Sequence, residues 1–299
     1  QRSMAAGGSP ASVHRTRNAR SFWRRRHASY CCTPVCVTDG GAVGRRTLAT
    51  RHLRAGEIVL TEAPVLRGGC AVDRCPGCGE RTGGCSGEPS GCRWPAVPAA
   101  AREWHRGASA KAATMRGGER ENGVRVCSLF AMVAQAAAAP SLCRWLLSHL
   151  EPAASCGGEV QEAGEEEEAL SRSTRDFARL FARHVPLAEG VVAELLLRLQ
   201  TNLFTIDERS VGIYSAACLL EHSCAPNASV CVRRAGGGAA LEVVARRPIE
   251  AGEAISFSYL DEAWLAAAAV RQRRERLERE LGFWCLCTRC EREMAALGG

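Results

Sequence analysis

The chain has 299 residues, a net charge of +7 and 17 cysteines, and 46% of its residues are hydrophobic. This length accommodates one large domain or two small ones with a substantial core. No apolar run approaches the roughly 18 residues of a membrane span, and no signal-peptide core precedes the cysteines. We therefore expect a soluble protein in a reducing compartment rather than a disulfide-rich secreted one.

The first forty residues are predicted to be a basic segment. From Met4 onward they are rich in arginine and serine, and no acidic residue occurs before Asp39. This composition fits either an organelle transit peptide or a disordered tail, and the poor amphipathic pattern favours the tail. The tail could touch nucleic acid, but a solvated arm is the simpler interpretation. Beyond it we expect no direct nucleic-acid binding, because no groove-reading motif is visible.

The first half of the chain is predicted to change from strands to helices. Residues 42–66 alternate short β-favouring runs with a Gly-Glu turn, which predicts a β-meander. Residues 70–92 are rich in glycine, proline and cysteine, which indicates a loop or a metal-organised module. Residues 124–150 carry apolar residues at helical spacing, and Pro140 interrupts that helix.

The second half is predicted to return to strands. A polar linker at 153–168 leads to two helices within 170–200. Three short strands follow, at 228–233, 239–246 and 254–258, and glycines 236–238 form a hairpin turn between the first two. A charged helix is predicted at 262–281. The order of elements predicts an α+β chain in which a β domain is split by a helical insertion.

Four cysteines have the spacing of metal ligands. Cys285-x-Cys287-x-x-Cys290 lies near the C-terminal end, and Cys224 stands alone far upstream. Four thiolates are the number that a closed tetrahedral zinc site needs. Buried free cysteines are the alternative, but three cysteines within six residues of a polar tail favour Zn²⁺. The metal would tie the tail to a core segment.

The residues around Cys224 resemble a known family. His222-Ser223-Cys224-Ala225-Pro226-Asn227 followed by the cysteine triad resembles the SET-domain lysine methyltransferases, in the branch that pairs SET with a MYND zinc finger. Further segments resemble family motifs and occur in the family's order, at 44–49, 53–60, 201–206, 211–214, 248–261 and 283–290. The colinearity of these individually weak matches carries the resemblance.

The resemblance implies a β-rich SET fold with small sheets, a knot-like crossing and a zinc-bound post-SET tail. The insertion that splits it would be both helical and cysteine-rich. The predicted divisions are a basic tail or targeting segment (1–40), the N-terminal SET half (41–69), a cysteine-rich insertion (70–105), a helical insertion (106–200), the C-terminal SET core (201–262), and the post-SET helix and zinc tail (263–299).

The resemblance also implies an activity, the transfer of methyl from S-adenosylmethionine to a protein lysine. Tyr259 would be the catalytic tyrosine, and Tyr214 a second aromatic of the lysine channel, with simple packing as the alternative. His222, Asn202 and Phe283 would contact the cofactor. A lone asparagine at a helix end is more often a cap, so this assignment of Asn202 comes from the resemblance alone.

Two departures from the family pattern fall among the predicted cofactor contacts, which include Gly44 and Arg45. The family has asparagine where this chain has Glu221, and an ionised carboxylate only accepts hydrogen bonds. The family has G-x-G-L where this chain has Gly44-Arg45-Arg46-Thr47. An arginine here either obstructs the ligand or pairs with the cofactor carboxylate.

The cysteine-rich insertion resembles an eroded MYND finger. Cys75-x-x-Cys78, Cys85 and Cys92 occur with Trp104-His105 downstream, fewer ligands than the two zinc sites of that module need. One residual zinc site and no site are both compatible with this pattern.

The function implied is a protein-lysine N-methyltransferase that uses S-adenosylmethionine, contains Zn²⁺ and acts on a lysine-bearing segment of a histone or another protein. The alternative from another class is a catalytically silent SET module that serves as a binding protein, for which Glu221 and Arg46 argue. A zinc protein that binds nucleic acid through the basic N-terminus is a third, weaker hypothesis. We expect no membrane partner and a location in the nucleus, the cytoplasm or both, with organelle targeting by the N-terminal segment as the alternative.

Overall fold

The computed structural model describes residues 34–39, 45–70, 73–80, 92–150, 165–235 and 238–297. Gly44, Cys85 and most of the basic N-terminal segment lie outside these ranges. The strands are β1 (Val35–Asp39), β2 (Arg45–Ala49), β3 (Ile58–Glu62), β4 (Leu66–Gly69), β5 (Phe204–Asp207), β6 (Ser210–Ile213), β7 (Glu221–His222), β8 (Ala228–Ala235), β9 (Gly238–Ala245) and β10 (Ser256–Phe257). The α-helices are α1 (Ala99–Thr114), α2 (Gly117–Ala137), α3 (Pro140–His149), α4 (Glu165–Ala182), α5 (Glu189–Thr201), α6 (Glu262–Ala267), α7 (Val270–Leu281) and α8 (Thr288–Leu297).

The strands form small sheets that join the two ends of the sequence. β3 pairs with β9, which pairs with β8, and β4 pairs with β6, which pairs with β5. β1 pairs with β2, and the short strands β7 and β10 are parallel. The predicted β-meander at 42–66 is therefore wrong, because β2, β3 and β4 each pair with a different strand. Two of these partners come from the second half of the chain, beyond the reach of local patterns.

Two turns with the same sequence, Ala-Gly-Glu, position these strands. Gly56 and Gly252 both have positive φ, at 80° and 84°, a conformation that favours glycine. In each turn the following glutamate accepts a hydrogen bond at 3.0 Å from the backbone N–H three residues earlier. The side chains of Glu57 and Glu253 thus close both turns, the first of which the sequence indicated.

The helical insertion has its own core, which packs against the β4–β6–β5 sheet. Leu129, Phe130, Met132 and Val133 of α2 are fully buried among residues of α3, α4 and α5. Within the described ranges no single helix is long and apolar enough to cross a membrane. α2 and α3 meet that test only as a pair, across a bend of 116°.

Two helix boundaries differ from the sequence-based expectation, whereas the break predicted at Pro140 is confirmed. The helical part begins with α1 at Ala99, inside the region predicted to be the cysteine-rich insertion. Pro140 starts α3, where its missing N–H costs nothing. The charged helix predicted at 262–281 is two helices, because Ala268 and Ala269 are extended. No proline or glycine marks this break; Arg273 donates to the Ala268 carbonyl at 2.7 Å, a side-chain contact that helix propensity does not reveal.

More residues lie in helices than in strands, so the description as β-rich applies to the SET portion and not to the chain as a whole. The α+β class is confirmed. The parallel β7–β10 pair brings the segment of His222 beside the segment of Tyr259, and this juxtaposition positions the candidate site.

Candidate functional site

An open group of aromatic side chains lies beside the β7–β10 pair. Phe257 stands opposite His222 in this pair, and Tyr259 follows two residues later. The Tyr259 ring centroid lies 4.9 Å from that of Phe257 and 5.2 Å from that of His222. Phe283, from the tail, lies 6.2 Å from Tyr259. The structure thus brings three of the predicted site residues together.

Tyr259 is held at both ends. Its hydroxyl donates to the Leu220 carbonyl at 2.6 Å, and its backbone N–H donates to Nδ1 of His222 at 3.0 Å. Burial raises the pKa of Tyr259, so the phenol stays protonated at neutral pH. The residue as a whole is nevertheless 41% exposed, so part of its surface faces solvent.

The imidazole of His222 bridges Tyr259 and a cysteine. Its Nδ1 accepts from the Tyr259 N–H, and its Nε2 lies 3.3 Å from Sγ of Cys224. Burial lowers the pKa of His222 to about 4, so the ring is neutral at pH 7. The side chain of the predicted cofactor-binding histidine therefore connects the aromatic group to the cysteines.

Four cysteines, Cys224, Cys285, Cys287 and Cys290, converge at one point, as their spacing suggested. All four sulfurs lie within 4.8 Å of one another. The sulfur of Cys224 lies 3.6 Å from that of Cys290 and 3.9 Å from that of Cys285. A tetrahedron of thiolates with Zn–S bonds of about 2.3 Å has sulfur separations of about 3.8 Å. The donor set and its size both fit a zinc ion; we call these four residues the tail cluster.

Arginines surround the tail cluster. Nη2 of Arg273, whose side chain is only 1% exposed, lies 3.7 Å from Sγ of Cys290. Arg274 and Arg289 donate to the carbonyls of two cluster cysteines at 2.8 and 3.1 Å. Four thiolates around Zn²⁺ leave two negative charges, which nearby guanidinium groups offset. Sequence analysis missed these residues; their concentration around the cysteine triad was the available signal.

The two departures from the family pattern meet in an ion pair. Nε of Arg46 lies 2.5 Å from one Glu221 oxygen, and Nη2 lies 3.2 Å from the other. The hydrogen bond to Glu221 raises the pKa of Arg46. A guanidinium and a carboxylate held side by side match, in charge, the carboxylate and ammonium of an amino acid. These residues therefore fit the amino acid end of S-adenosylmethionine, and that role stays a prediction.

The other predicted cofactor contacts have protein partners. Arg45 donates to the carbonyl of His149 at the end of α3. Asn202 caps the end of α5, with its amide donating to the Arg198 carbonyl at 2.8 Å. Capping was the alternative for Asn202, and both cofactor roles stay predictions.

Tyr214 occupies a different place from the other predicted site residues. It is fully buried, and burial raises its pKa to about 12. Its ring lies 5.6 Å from that of Phe204, and Phe204 in turn lies 5.8 Å from Phe257. This position fits the alternative that Tyr214 serves simple packing, and its role in a lysine channel stays a prediction.

A second group of cysteines lies in the insertion. The sulfurs of Cys75, Cys78 and Cys92 lie within 4.8 Å of one another; we call these residues the insertion cluster. Arg67 of β4 donates to the Cys78 carbonyl at 2.8 Å, which fixes the cluster to the sheet. His105 does not belong to the insertion cluster, because its Nε2 forms a hydrogen bond with the Gly69 carbonyl at 2.9 Å.

Comparison with known proteins agrees with this geometry. The family model for the SET domain matches residues 44–260, most of the chain. The chain belongs to the SET-domain family. The resemblance seen in the sequence motifs is thereby confirmed for SET; support for the branch with a MYND finger comes from a partial match to one of its members.

The curated relatives of this SET-domain chain are histone-lysine N-methyltransferases. SMYD3 of Mus musculus is 36% identical over 103 residues, which are 33% of this chain and 22% of that protein. The enzyme set5 of Schizosaccharomyces pombe is 31% identical over 134 residues, 44% of this chain and 40% of that protein. The chain thus spans well under half the length of these relatives.

Solved structures share the fold. The SET domain of LSMT bound to lysine and AdoHcy has a TM-score of 0.56 and 9% identity, covering 92% of this chain and 58% of that one. Rubisco LSMT bound to AdoMet has a TM-score of 0.54 and 9% identity, covering 91% and 57%. At this identity the likeness shows the fold alone.

Proposed function

We propose that this SET-domain protein is an S-adenosylmethionine-dependent protein-lysine N-methyltransferase. The observation that carries the proposal is the position of Tyr259, whose hydroxyl is fixed by the Leu220 carbonyl at an exposed aromatic site. The SET family and the histone-lysine N-methyltransferases among its relatives support the same activity.

The site would bind a lysine and favour its neutral form, with the ammonium proton released to solvent. When bound, S-adenosylmethionine supplies an electrophilic methyl carbon. A lysine amine attacks only when neutral, and its ordinary pKa is about 10.4. The rings of Phe257 and Phe283 provide apolar walls that disfavour the charged ammonium. Because the Tyr259 proton is engaged with Leu220, its oxygen can accept weak bonds from the amine or from a methyl group.

Positioning accounts for the rest of the expected rate. Alignment of an attacking nitrogen with its target is worth about 7–11 kcal/mol in oriented systems. Tyr259 is fixed at its hydroxyl and at its backbone N–H, which suits it to this task. His222, Phe283 and the Arg46–Glu221 pair would hold the cofactor, with Asn202 and Arg45 as further candidates. The tail cluster would hold zinc and fix Phe283 against the site.

The substrate class we propose is a lysine-bearing protein segment. The relatives named above act on histones, and the LSMT structure contains lysine, so histones are the first candidates to test. A nuclear or cytoplasmic location would suit this substrate and is part of the proposal.

A second candidate function is a SET module without catalysis that binds other proteins. The Arg46–Glu221 ion pair favours it, because two mutually satisfied charges gain less from a ligand than unpaired ones do. This hypothesis predicts no cofactor binding, whereas the enzyme hypothesis requires it.

A methyl-transfer assay tests the proposal. Purified protein is incubated with radiolabelled S-adenosylmethionine, mixed histones and cell extract, and the labelled residue is identified by mass spectrometry. We expect label on lysine with wild type, and a loss of at least about a hundredfold with Tyr259→Phe at unchanged affinity for S-adenosylhomocysteine. No label together with no calorimetric binding of the cofactor product would favour the binding module.

A further inference from the structure

Two hydrogen bonds connect Tyr259 to the tail cluster through one side chain. The Tyr259 N–H donates to Nδ1 of His222 at 3.0 Å, and Nε2 of the same ring lies 3.3 Å from Sγ of Cys224. Cys224 in turn lies 3.6 Å from Cys290 across the cluster. The path from the candidate metal ligands to the candidate catalytic tyrosine therefore contains a single imidazole.

The geometry determines which nitrogen of His222 carries the proton. A nitrogen that accepts from a backbone N–H cannot itself bear hydrogen, so Nδ1 is bare. With Nδ1 bare, the N–H of the imidazole is on Nε2, 3.3 Å from the sulfur of Cys224. A metal-bound thiolate is the acceptor that this N–H would meet.

Small displacements of Tyr259 matter for the proposed reaction. A misplacement of about 1 Å in a reacting array can cost about a hundredfold in rate. Tyr259 lies beyond the end of the two-residue strand β10, so the backbone ladder does not hold it. Among the described residues its hydrogen bonds go to Leu220 and His222, and the bond to His222 leads on to Cys224; Phe283 of the tail is an apolar neighbour at 6.2 Å.

We propose that His222 is a positioning residue that transmits the geometry of the metal-bearing tail cluster to Tyr259. This inference rests on the proposed function for its effect on catalysis. Its structural half, that a change at the metal reaches Tyr259 through the imidazole, holds independently of any activity.

The matched variants His222→Asn and His222→Gln separate the two bonds. Asparagine places its oxygen near the position of Nδ1, which keeps the acceptor for Tyr259 but does not reach Cys224. Glutamine places its amide near the position of Nε2, which keeps a donor toward Cys224 but removes the acceptor. Each variant retains one bond and loses the other.

Nuclear magnetic resonance of the 299-residue chain gives a readout that needs no activity. The chain contains three tyrosines, so ¹⁵N-tyrosine labelling gives three backbone amide signals, and Tyr259→Phe identifies the one from Tyr259. Spectra are compared for zinc-loaded and cadmium-loaded protein, because the longer Cd–S bonds move the sulfurs. Cys78→Ser, which disrupts only the insertion cluster, is the background for all samples.

The proposal predicts that exchange of zinc for cadmium shifts the Tyr259 amide signal in wild type and leaves it unshifted in His222→Asn. His222→Gln should move this signal upfield in either metal form, because the acceptor is gone. An equal metal-dependent shift in wild type and His222→Asn would mean that the backbone carries the effect and would overturn the proposal. The proposal would also be overturned if the Tyr259 amide signal of wild type had the same chemical shift with zinc and with cadmium.

Kinetics test the consequence for catalysis. The proposal predicts that His222→Asn lowers kcat at least about tenfold, the usual scale for lost outer-shell contacts, with KM for the lysine substrate within twofold. An unchanged kcat would overturn the positioning role. An inactive wild type would overturn the proposed function only, since the metal-dependent shift is measured without turnover.

Discussion

The tail cluster and the insertion cluster share the same C-x-x-C spacing and differ in where they are attached. The tail cluster unites four sulfurs from segments far apart in sequence and is joined by His222 to the aromatic site. The insertion cluster unites three sulfurs from one short region and is joined by Arg67 to a sheet edge. The same spacing thus occurs in two different settings: one cluster lies beside the aromatic site, whereas the other lies at the edge of a sheet.

The difference has an energetic side. A metal in the tail cluster closes the long loop between Cys224 and Cys285, and the entropy removed from the unfolded chain grows with loop length. The insertion cluster closes a much shorter loop between Cys75 and Cys92. Loss of the tail metal should therefore destabilise the whole SET portion, and loss of an insertion metal should act locally.

The largest effect is expected from Cys287→Ser. It removes one thiolate from the tail cluster, so bound zinc should fall by one equivalent per chain and the melting temperature by on the order of 10 °C. Methyl transfer should be lost as well. Metal analysis and calorimetric unfolding check this. A zinc-free variant that melts like wild type would remove the distinction between the two clusters.

A smaller effect is expected on the insertion side, from His105. Burial lowers its pKa to about 4, against about 6.5 in the unfolded chain. The unfolded state therefore binds the proton more readily, and the stability held by neutral His105 is fully present above pH 6.5 and is lost as the pH falls toward 4. The loss reaches about 3 kcal/mol.

Denaturant unfolding between pH 7 and pH 4 measures this loss. His105→Gln keeps a donor for the Gly69 carbonyl but cannot protonate, so it should flatten the pH dependence. His222 on the tail side would leave a residual slope in the variant. If the slope of the variant equals that of wild type, His105 does not carry this part of the stability.

Cys78→Ser should have a modest effect. We expect a destabilisation of about 1–2 kcal/mol and the loss of a metal equivalent if the insertion cluster holds one. Affinity for S-adenosylhomocysteine should stay within twofold, because the insertion cluster does not contact the aromatic site in the described residues. Calorimetric titration checks the affinity. A tenfold loss would contradict the view that this cluster is only an anchor.

The smallest effect is expected from Glu221→Asn. Arg46 would lose the partner that holds it, and the cofactor ammonium would lose a countercharge, so affinity for S-adenosylhomocysteine should weaken by about 1 kcal/mol, about fivefold. Arg46→Met serves as the companion variant. Tighter binding by Glu221→Asn would show instead that Glu221 repels the cofactor carboxylate.

Features that depend on nearby residues were predictable from the sequence, and most features that depend on contacts between distant residues were not. The convergence of the four cysteines of the tail cluster was predictable from their spacing, whereas the grouping of His222, Tyr259 and Phe283 was predicted from the resemblance to SET-domain motifs. The β-meander was wrong because strand pairing across the insertion leaves no mark in a local window.

Contacts between side chains from distant elements were also out of reach. Arg273 looks like a solvated residue of a charged helix, yet it is buried against Cys290. The pairing of Arg46 with Glu221 joins residues that are 175 positions apart, so it became visible only once both side chains were placed. Helix α1 was missed in part because the cysteine-rich composition before it suggested a longer irregular region.

Zinc in the tail cluster should complete the cofactor site, because it would fix Phe283 against that site. The most direct measurement is a chelator titration of wild-type protein and Cys78→Ser, in which zinc content and affinity for S-adenosylhomocysteine are determined on the same samples. In Cys78→Ser the remaining zinc would be that of the tail cluster. We expect the affinity for S-adenosylhomocysteine to fall in proportion as this zinc is removed, in both proteins, and to return when zinc is restored. Full affinity in protein stripped of all zinc would contradict it.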